Sequence, residues 1–269
     1  MNRLSLNTVE NKAIHTLAIA ASLAHITQSF PDDPALDTAI SRALMLRVAA
    51  GDIPNTLRIA RPGAIVAFGK RDVISAGYPA AVAAARAGGF EAIERLAGGR
   101  AAVFHEQTIS FAHAVADADP RSRVGARFEV TSALMVRALG RLGVDARVGE
   151  VQGEYCPGAD SVNARGQRKL MGVGQRLVSG GAHVGGVVVV DGAERVNHVL
   201  VPVYSALGLP WRPEATGAVA QEVDGVTWEQ VAAAITAEYA ELYDLEPAEL
   251  DKETLELARR LAPEHLAPA

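Results

Sequence analysis

Only one cysteine, Cys156, occurs in the 269-residue chain, which excludes an intrachain disulfide framework and any multi-thiolate metal centre. A lone free thiol also favours a reducing compartment, where it stays available. Excess positive charge is missing as well. The 26 Lys and Arg residues against 31 Asp and Glu leave a net charge of −5, so no global basic field gathers nucleic acid or anionic lipid. There is no Walker phosphate loop and no Gly-x-Ser-x-Gly turn, and Gly172-Val173-Gly174 runs on into Gln175-Arg176-Leu177 rather than a Rossmann fingerprint. Seven histidines lie scattered without ligand spacing, so no metal site is expected. Ala13–Ile26 is the nearest approach to a membrane or signal segment, but it is too short to span a bilayer and His15 and His25 interrupt it. It reads as an amphipathic helix in an amino-terminal extension over residues 1–30, and the protein reads as cytoplasmic with no membrane partner.

What is present is an ordinary globular composition, 49% hydrophobic and 21% charged, long enough for a sizeable core. Asp33-Pro34 opens a helix with apolar residues at helical spacing up to Gly51. Strands are expected at Thr56–Ala60 and Ala64–Phe68, then an alanine-rich helix over Tyr78–Arg86. Short strands follow near Glu91–Leu96, Ala101–Phe104 and Thr108–His113. Arg123–Leu142 has the clearest helical apolar face, and Val144–Val148 reads as a strand. Lys169–Val178 and Gly185–Val190 are nearly unbroken apolar runs and read as buried strands. Thr227–Tyr243 and Pro247–Leu261 read as helices completing a carboxy-terminal region over residues 226–269. Helices and strands alternate without a regular βαβ period. The fold class that follows is α+β, a mixed or antiparallel sheet flanked by helices, in a single catalytic domain over residues 1–269.

Three segments carry possible chemistry. Gly98-Gly99, flanked by Arg95 and Arg100 and followed by His105, is either a tight hairpin with solvated arginines or a loop whose bare backbone N–H groups meet a carboxylate, thioester or phosphate oxygen. Cys156, in Tyr155-Cys156-Pro157-Gly158, is either a small buried hydrophobe or a nucleophile. A free thiol with a pKa near ~8.5 is only about 3% ionised at pH 7. Lys169, thirteen positions on, is the candidate cation to lower that pKa. The glycine runs holding Gly172 and Gln175, and later His183, suit either close strand packing or the bare walls of an acyl cavity. His183 alone reads more readily as a structural histidine.

Taken together, over roughly Pro34 to Val201, these segments resemble the biotin/lipoate protein ligase and octanoyltransferase superfamily. Leu57–Pro62 with Ala67-Phe68-Gly69-Lys70 is similar to its opening strand pair, Arg95–His105 to its acyl-binding loop, and Arg168–Arg176 to the segment with its functional lysine. The Tyr-Cys-Pro-Gly turn is similar to the cysteine-dependent branch, which moves octanoyl groups from the glycine cleavage H protein to lipoyl domains. The loop reads Leu-Ala-Gly-Gly-Arg-Ala, departing from the serine-containing, triple-glycine form of the ligases. The resemblance implies the catalytic-domain fold of that superfamily. It also implies a Cys156 thioester assisted by Lys169, and acyl binding by Arg95, Gly98, Gly99, Arg100, His105, Gly172, Gln175 and His183. No cofactor is then required. An ATP-dependent ligase, using ATP and magnesium, and a non-catalytic acyl-binding protein are the alternatives. Few residues follow Gly225, so no accessory ligase domain is expected.

Overall fold

The computed structural model describes residues 22–268. It opens on β1 (Ser22–Ile26), followed by α1 (Pro34–Ala50). The Asp33 carboxylate accepts the Leu36 N–H at 3.1 Å, Pro34 occupies the first turn, and Gly51 closes the helix at φ 80°. Next come β2 (Thr56–Ala60), β3 (Ile65–Phe68), the single turn α2 (Lys70–Val73), α3 (Tyr78–Ala87), β4 (Glu91–Glu94), β5 (Ala102–Phe104) and β6 (Thr108–Ala116). After α4 (Val124–Arg141), β7 (Ala146–Val148) and β8 (Val162–Ala164) bracket the cysteine loop. The long hairpin β9 (Arg168–Val178) and β10 (Gly181–Val189) then leads to α5 (Ala193–Leu207), α6 (Trp228–Ala240), β11 (Asp244–Pro247) and α7 (Lys252–Leu261).

Eight strands make one mixed sheet in the order β11-β1-β2-β6-β10-β9-β8-β7, parallel at β11-β1-β2 and antiparallel elsewhere. A second sheet, β4-β3-β5, lies apart from it. On the large sheet, Leu57, Ile59, Phe111 and Val188 pack with Leu134, Met135 and Leu139 of α4 and Ile235 and Tyr239 of α6. The small sheet packs its Val66, Phe68 and Val103 against Tyr78, Ala81 and Ala85 of α3 and Val196, Leu200 and Val203 of α5. The two sheets place the glycine loop after β4 opposite the hairpin β9–β10, and the cysteine loop closes one end.

Most expected elements are present, and the differences are instructive. Residues 13–21 of the expected amino-terminal helix lie outside the described residues, but Ser22–Ile26 is a strand, not helix. Its local sequence suits either state, and its pairing with Thr56–Arg58 on one side and Asp244–Pro247 on the other decides the matter. The same pairing makes a strand of Asp244–Pro247, which begins in the gap between the two expected carboxy-terminal helices, and the second of these starts at Lys252 rather than Pro247. The neighbouring strands β2 and β3 belong to different sheets, because the Arg61-Pro62-Gly63 turn redirects the chain instead of folding it back. Helix α5 had no sequence-based expectation. Among the described residues no helix is long and apolar enough to cross a membrane.

Candidate active site

Cys156 sits at φ 43°, a left-handed conformation that a side chain adopts only when its surroundings enforce it. The enforcement is visible on both sides of the residue. Its backbone N–H donates to the Tyr204 hydroxyl at 2.8 Å, and its carbonyl accepts from Lys169 Nζ at 2.8 Å. Pro157 follows, further disfavouring ordinary helical geometry at position 156. The Tyr204 hydroxyl in turn donates to the Ala101 carbonyl at 2.9 Å, tying the cysteine loop to the end of the glycine loop.

The glycine loop meets the sulfur itself. Sγ accepts from Arg95 Nη2 at 3.3 Å and from the Arg100 backbone N–H at 3.2 Å. Gly99, at φ 109°, makes this approach possible, because a Cβ there would overlap the Arg95 guanidinium and stand 2.9 Å from Sγ. The Arg100 side chain turns away to the buried carboxylate of Asp72 at 3.1 Å, and Asp72 also accepts the Gly69 N–H at 3.0 Å. Asp72 therefore fixes where the Arg100 N–H points. Burial pushes the Cys156 thiol pKa up. Against it act the Arg95 charge, then the Lys169 charge, then the N–H bonds from Arg100 and Arg95, and together they hold the thiol below its ordinary value.

Lys169, at the start of β9, is 1% exposed and lies against the cysteine loop, but not against the sulfur. Its three N–H donors go to Glu154 Oε1 at 2.9 Å, the Tyr155 carbonyl at 3.1 Å and the Cys156 carbonyl at 2.8 Å. This corrects the expectation that Lys169 is the cation that acts foremost on the thiol. Arg95 touches the sulfur, and the lysine has no N–H to spare. Glu154 is equally buried and also accepts from Ser161 Oγ at 2.7 Å, Gly158 N at 3.2 Å and, through its other oxygen, Val151 N at 2.9 Å. The ammonium and carboxylate thus form the scaffold of the turn.

Beside the thiol opens a cavity of about 420 Å³. Phe104, Phe128, Val173, Leu177 and Val187 supply apolar wall, while Arg95, Gly98, Gly99, Gly172 and Gln175 share the lining with Cys156 and Lys169. At Gly186 a Cβ would overlap the Gly172 carbonyl, so glycine is what lets β9 and β10 form this wall closely. The volume and the apolar lining suit a medium-length acyl chain better than a large polar substrate.

The profile of the family described as lipoyl protein ligase A/B catalytic domain matches residues 33–240. The chain belongs to that family. Among curated proteins, the octanoyl-[GcvH]:protein N-octanoyltransferase of Geobacillus kaustophilus is 28% identical over 170 residues, 63% of this chain; the match spans 60% of that relative's length. The solved structure of a lipoate-protein ligase A bound with ATP superposes with a TM-score of 0.72 at 19% identity, covering 90% of this chain and 95% of its own. A bipartite lipoate protein ligase from Thermoplasma acidophilum gives 0.71 at 18% identity, covering 91% and 93%. These two show that the lipoyl protein ligase A/B fold extends over nearly the whole chain.

Within this lipoyl ligase-type domain, the remaining expected residues divide. Gln175 lines the cavity, but both ends of its amide are engaged, by Arg127 Nε at 2.8 Å and the Val124 carbonyl at 2.8 Å, which pins β9 to α4. His183 lies outside the main cavity, in a smaller one of about 90 Å³ that shares Arg95, Phe104, Gly185 and Gly186 with it. Burial, with the neighbouring His113, pushes its pKa down to about 4, so the ring is neutral at pH 7. His105 is fully buried away from both cavities, with Nδ1 accepting the Gln107 N–H at 3.2 Å, and burial followed by the Arg195 charge brings it to about 4. It is a structural residue. The residues that went unnoticed in the sequence are Glu154, Tyr204, Asp72 and Phe128. Glu154, two positions before the cysteine, left the one readable signal.

The Arg95 contact carries a pH consequence. Alkylation by iodoacetamide follows the thiolate fraction, so in the wild type it rises at a lower pH than in a free cysteine. Replacing Arg95→Gln removes the leading opposing charge and is expected to move the midpoint of that rise upward by roughly one to three units. Rate constants measured between pH 5 and 10 give the answer, and an unmoved midpoint would contradict the role assigned to Arg95.

Proposed function

We propose that the protein is an acyltransferase that moves an octanoyl or lipoyl group from an acylated carrier protein to the target lysine of a lipoyl domain, through a thioester on Cys156. One observation carries this reading: the only thiol in the chain lies at an apolar cavity with a guanidinium and a backbone N–H both aimed at it. The name of the Geobacillus relative agrees with it.

The chemistry balances without an external energy source. The thiolate attacks the carbonyl carbon of the acyl group, the S–C bond forms, and the bond to the donor breaks. If the donor is an acyl-lysine amide, the departing amine takes up one proton. The acceptor lysine then attacks the thioester as the free amine, its C–N bond forms, thiolate leaves, and one proton is given up, so the cycle is proton-neutral. Developing negative charge on the carbonyl oxygen falls near the two donors that hold the resting sulfur, Arg95 and the Arg100 N–H. Lys169 acts through the loop, by fixing the Cys156 carbonyl and adding a second positive charge. No cofactor is needed on this route, because the energy of the bond passes from donor to thioester to acceptor.

The test is an ATP-free transfer followed by intact mass. The protein is incubated with octanoylated glycine cleavage H protein and an apo lipoyl domain. The expected result is an octanoyl adduct on the enzyme at Cys156 and octanoylation of the acceptor. Acceptor labelling that requires free octanoate and ATP, with no adduct on the enzyme, would replace this reading by the ATP-dependent ligase. No labelling by either route would leave an acyl-binding protein.

A further inference from the structure

Across the Gly98-Gly99 loop from the sulfur lies a third, open cavity of about 380 Å³, bordered by Lys70, Arg71 and Arg176 together with Leu96, Ala97 and Leu177. Gly98, Gly99, Gln175 and Leu177 line this cavity and the one beside the thiol, so the two share one wall, the wall that positions the thiol. None of its lining residues is acidic. The nearest carboxylate in sequence, Asp72, is buried and taken by Arg100, and among the described residues no carboxylate pairs with Lys70, Arg71 or Arg176. Three uncompensated cations thus gather at the mouth of the site in a chain whose net charge is −5.

The same segment carries Ile74, 85% exposed, the most exposed large hydrophobic among the described residues, at the end of α2 and three positions from Arg71. A free inorganic anion has no use for an apolar side chain beside its cations. A protein surface does, since an apolar anchor with a charged rim is the usual make-up of a docking patch.

From this juxtaposition we propose that Lys70, Arg71 and Arg176, with Ile74, form the docking surface for the carrier domain that delivers or receives the acyl group, and that this carrier presents carboxylates around its modified lysine. The inference rests on the transferase reading and adds the chemistry of the partner. An acidic domain is repelled by the chain's overall charge and attracted at this one mouth, so the field orients it with its lysine toward Cys156. The surface acts on encounter and positioning and leaves the bond-making groups untouched.

The experiment compares the wild type with the variant Lys70→Glu/Arg71→Glu/Arg176→Glu on two octanoyl donors, octanoyl-N-acetylcysteamine and octanoylated glycine cleavage H protein. Cys156 acylation by the small thioester is expected to stay within about twofold. KM for the carrier is expected to rise about tenfold or more with kcat little changed, and the wild-type kcat/KM for the carrier is expected to fall with added salt while the variant's does not. The milder pair Lys70→Ala/Arg71→Ala, at exposed positions, is expected to show the same trend and guards against misfolding of the triple variant. An unchanged carrier KM in both variants overturns the proposal. So does inhibition by millimolar inorganic phosphate that vanishes in the triple variant while carrier KM stays put, which would assign the cavity to a small anion. A wild type that takes no octanoyl group from the small thioester removes the Cys156 reading itself, and this proposal with it.

Discussion

Cys156→Ser is expected to lower ATP-free acyl transfer by about a thousand-fold or more and to abolish the enzyme-bound octanoyl adduct. The substitution is nearly isosteric, and serine keeps an acceptor for the Arg95 and Arg100 donors, so loss of geometry is not the cause. What disappears is the sulfur nucleophile of the proposed thioester. Its surroundings favour a negative charge at this atom: against burial, Arg95, Lys169 and the Arg100 N–H together hold the thiol below its ordinary value. The same field does not ionise a hydroxyl. The backbone clamp on residue 156 uses its N–H and carbonyl, which serine retains, so the melting temperature is expected to stay within a few degrees of wild type. Retention of more than a tenth of the wild-type rate by a well-folded Cys156→Ser protein would remove the thioester from the mechanism.

The sequence announces some parts of this site and hides others for physical reasons. Helix α1 is legible from its Asp33 cap and Gly51 stop and α4 from its apolar face, all of them local patterns, and β9 and β10 from the apolar runs Lys169–Val178 and Gly185–Val190, although β10 begins earlier, at Gly181. Cys156, Lys169 and the Gly98-Gly99 loop stand out because an unusual residue type in an unusual setting is itself local information. Which cation serves the thiol is different, since it depends on how loops 61 residues apart are brought together. Arg95 is read from the sequence as a receiver for substrate oxygens, and Lys169 as the partner of the sulfur. The fold exchanges them, because Glu154 draws the ammonium beneath the loop and leaves the guanidinium on top. Strands β1 and β11 fail for a related reason: each is short, and each becomes a strand through partners more than thirty residues distant. Histidines 105 and 183 sit in strand-bordered, apolar sequence that gives no clue to which wall each faces.

The buried pair makes the last prediction a test of two roles at once. Lys169→Met is expected to reduce transfer strongly, but unlike a change at an isolated catalytic side chain it also strips the partner from a fully buried carboxylate. Removing one member of such a pair costs about 3–5 kcal/mol, roughly 10 °C in melting temperature for a chain of this size. Adding Glu154→Gln removes the stranded charge. Gln retains an acceptor for Ser161 and Gly158, though its NH₂ meets the Val151 N–H, so about half of the lost stability is expected to return. Transfer is expected to stay low in the double variant even so. The Cys156 carbonyl has lost its ammonium donor, the left-handed turn has lost one of its two clamps, and the thiol has lost its second cation. The midpoint of iodoacetamide alkylation should therefore lie above wild type in the single and double variants alike. Stability and activity recovering together in the double variant, with the alkylation midpoint back at its wild-type position, would reduce Lys169 to a structural residue and leave Arg95 as the sole cation acting on the sulfur.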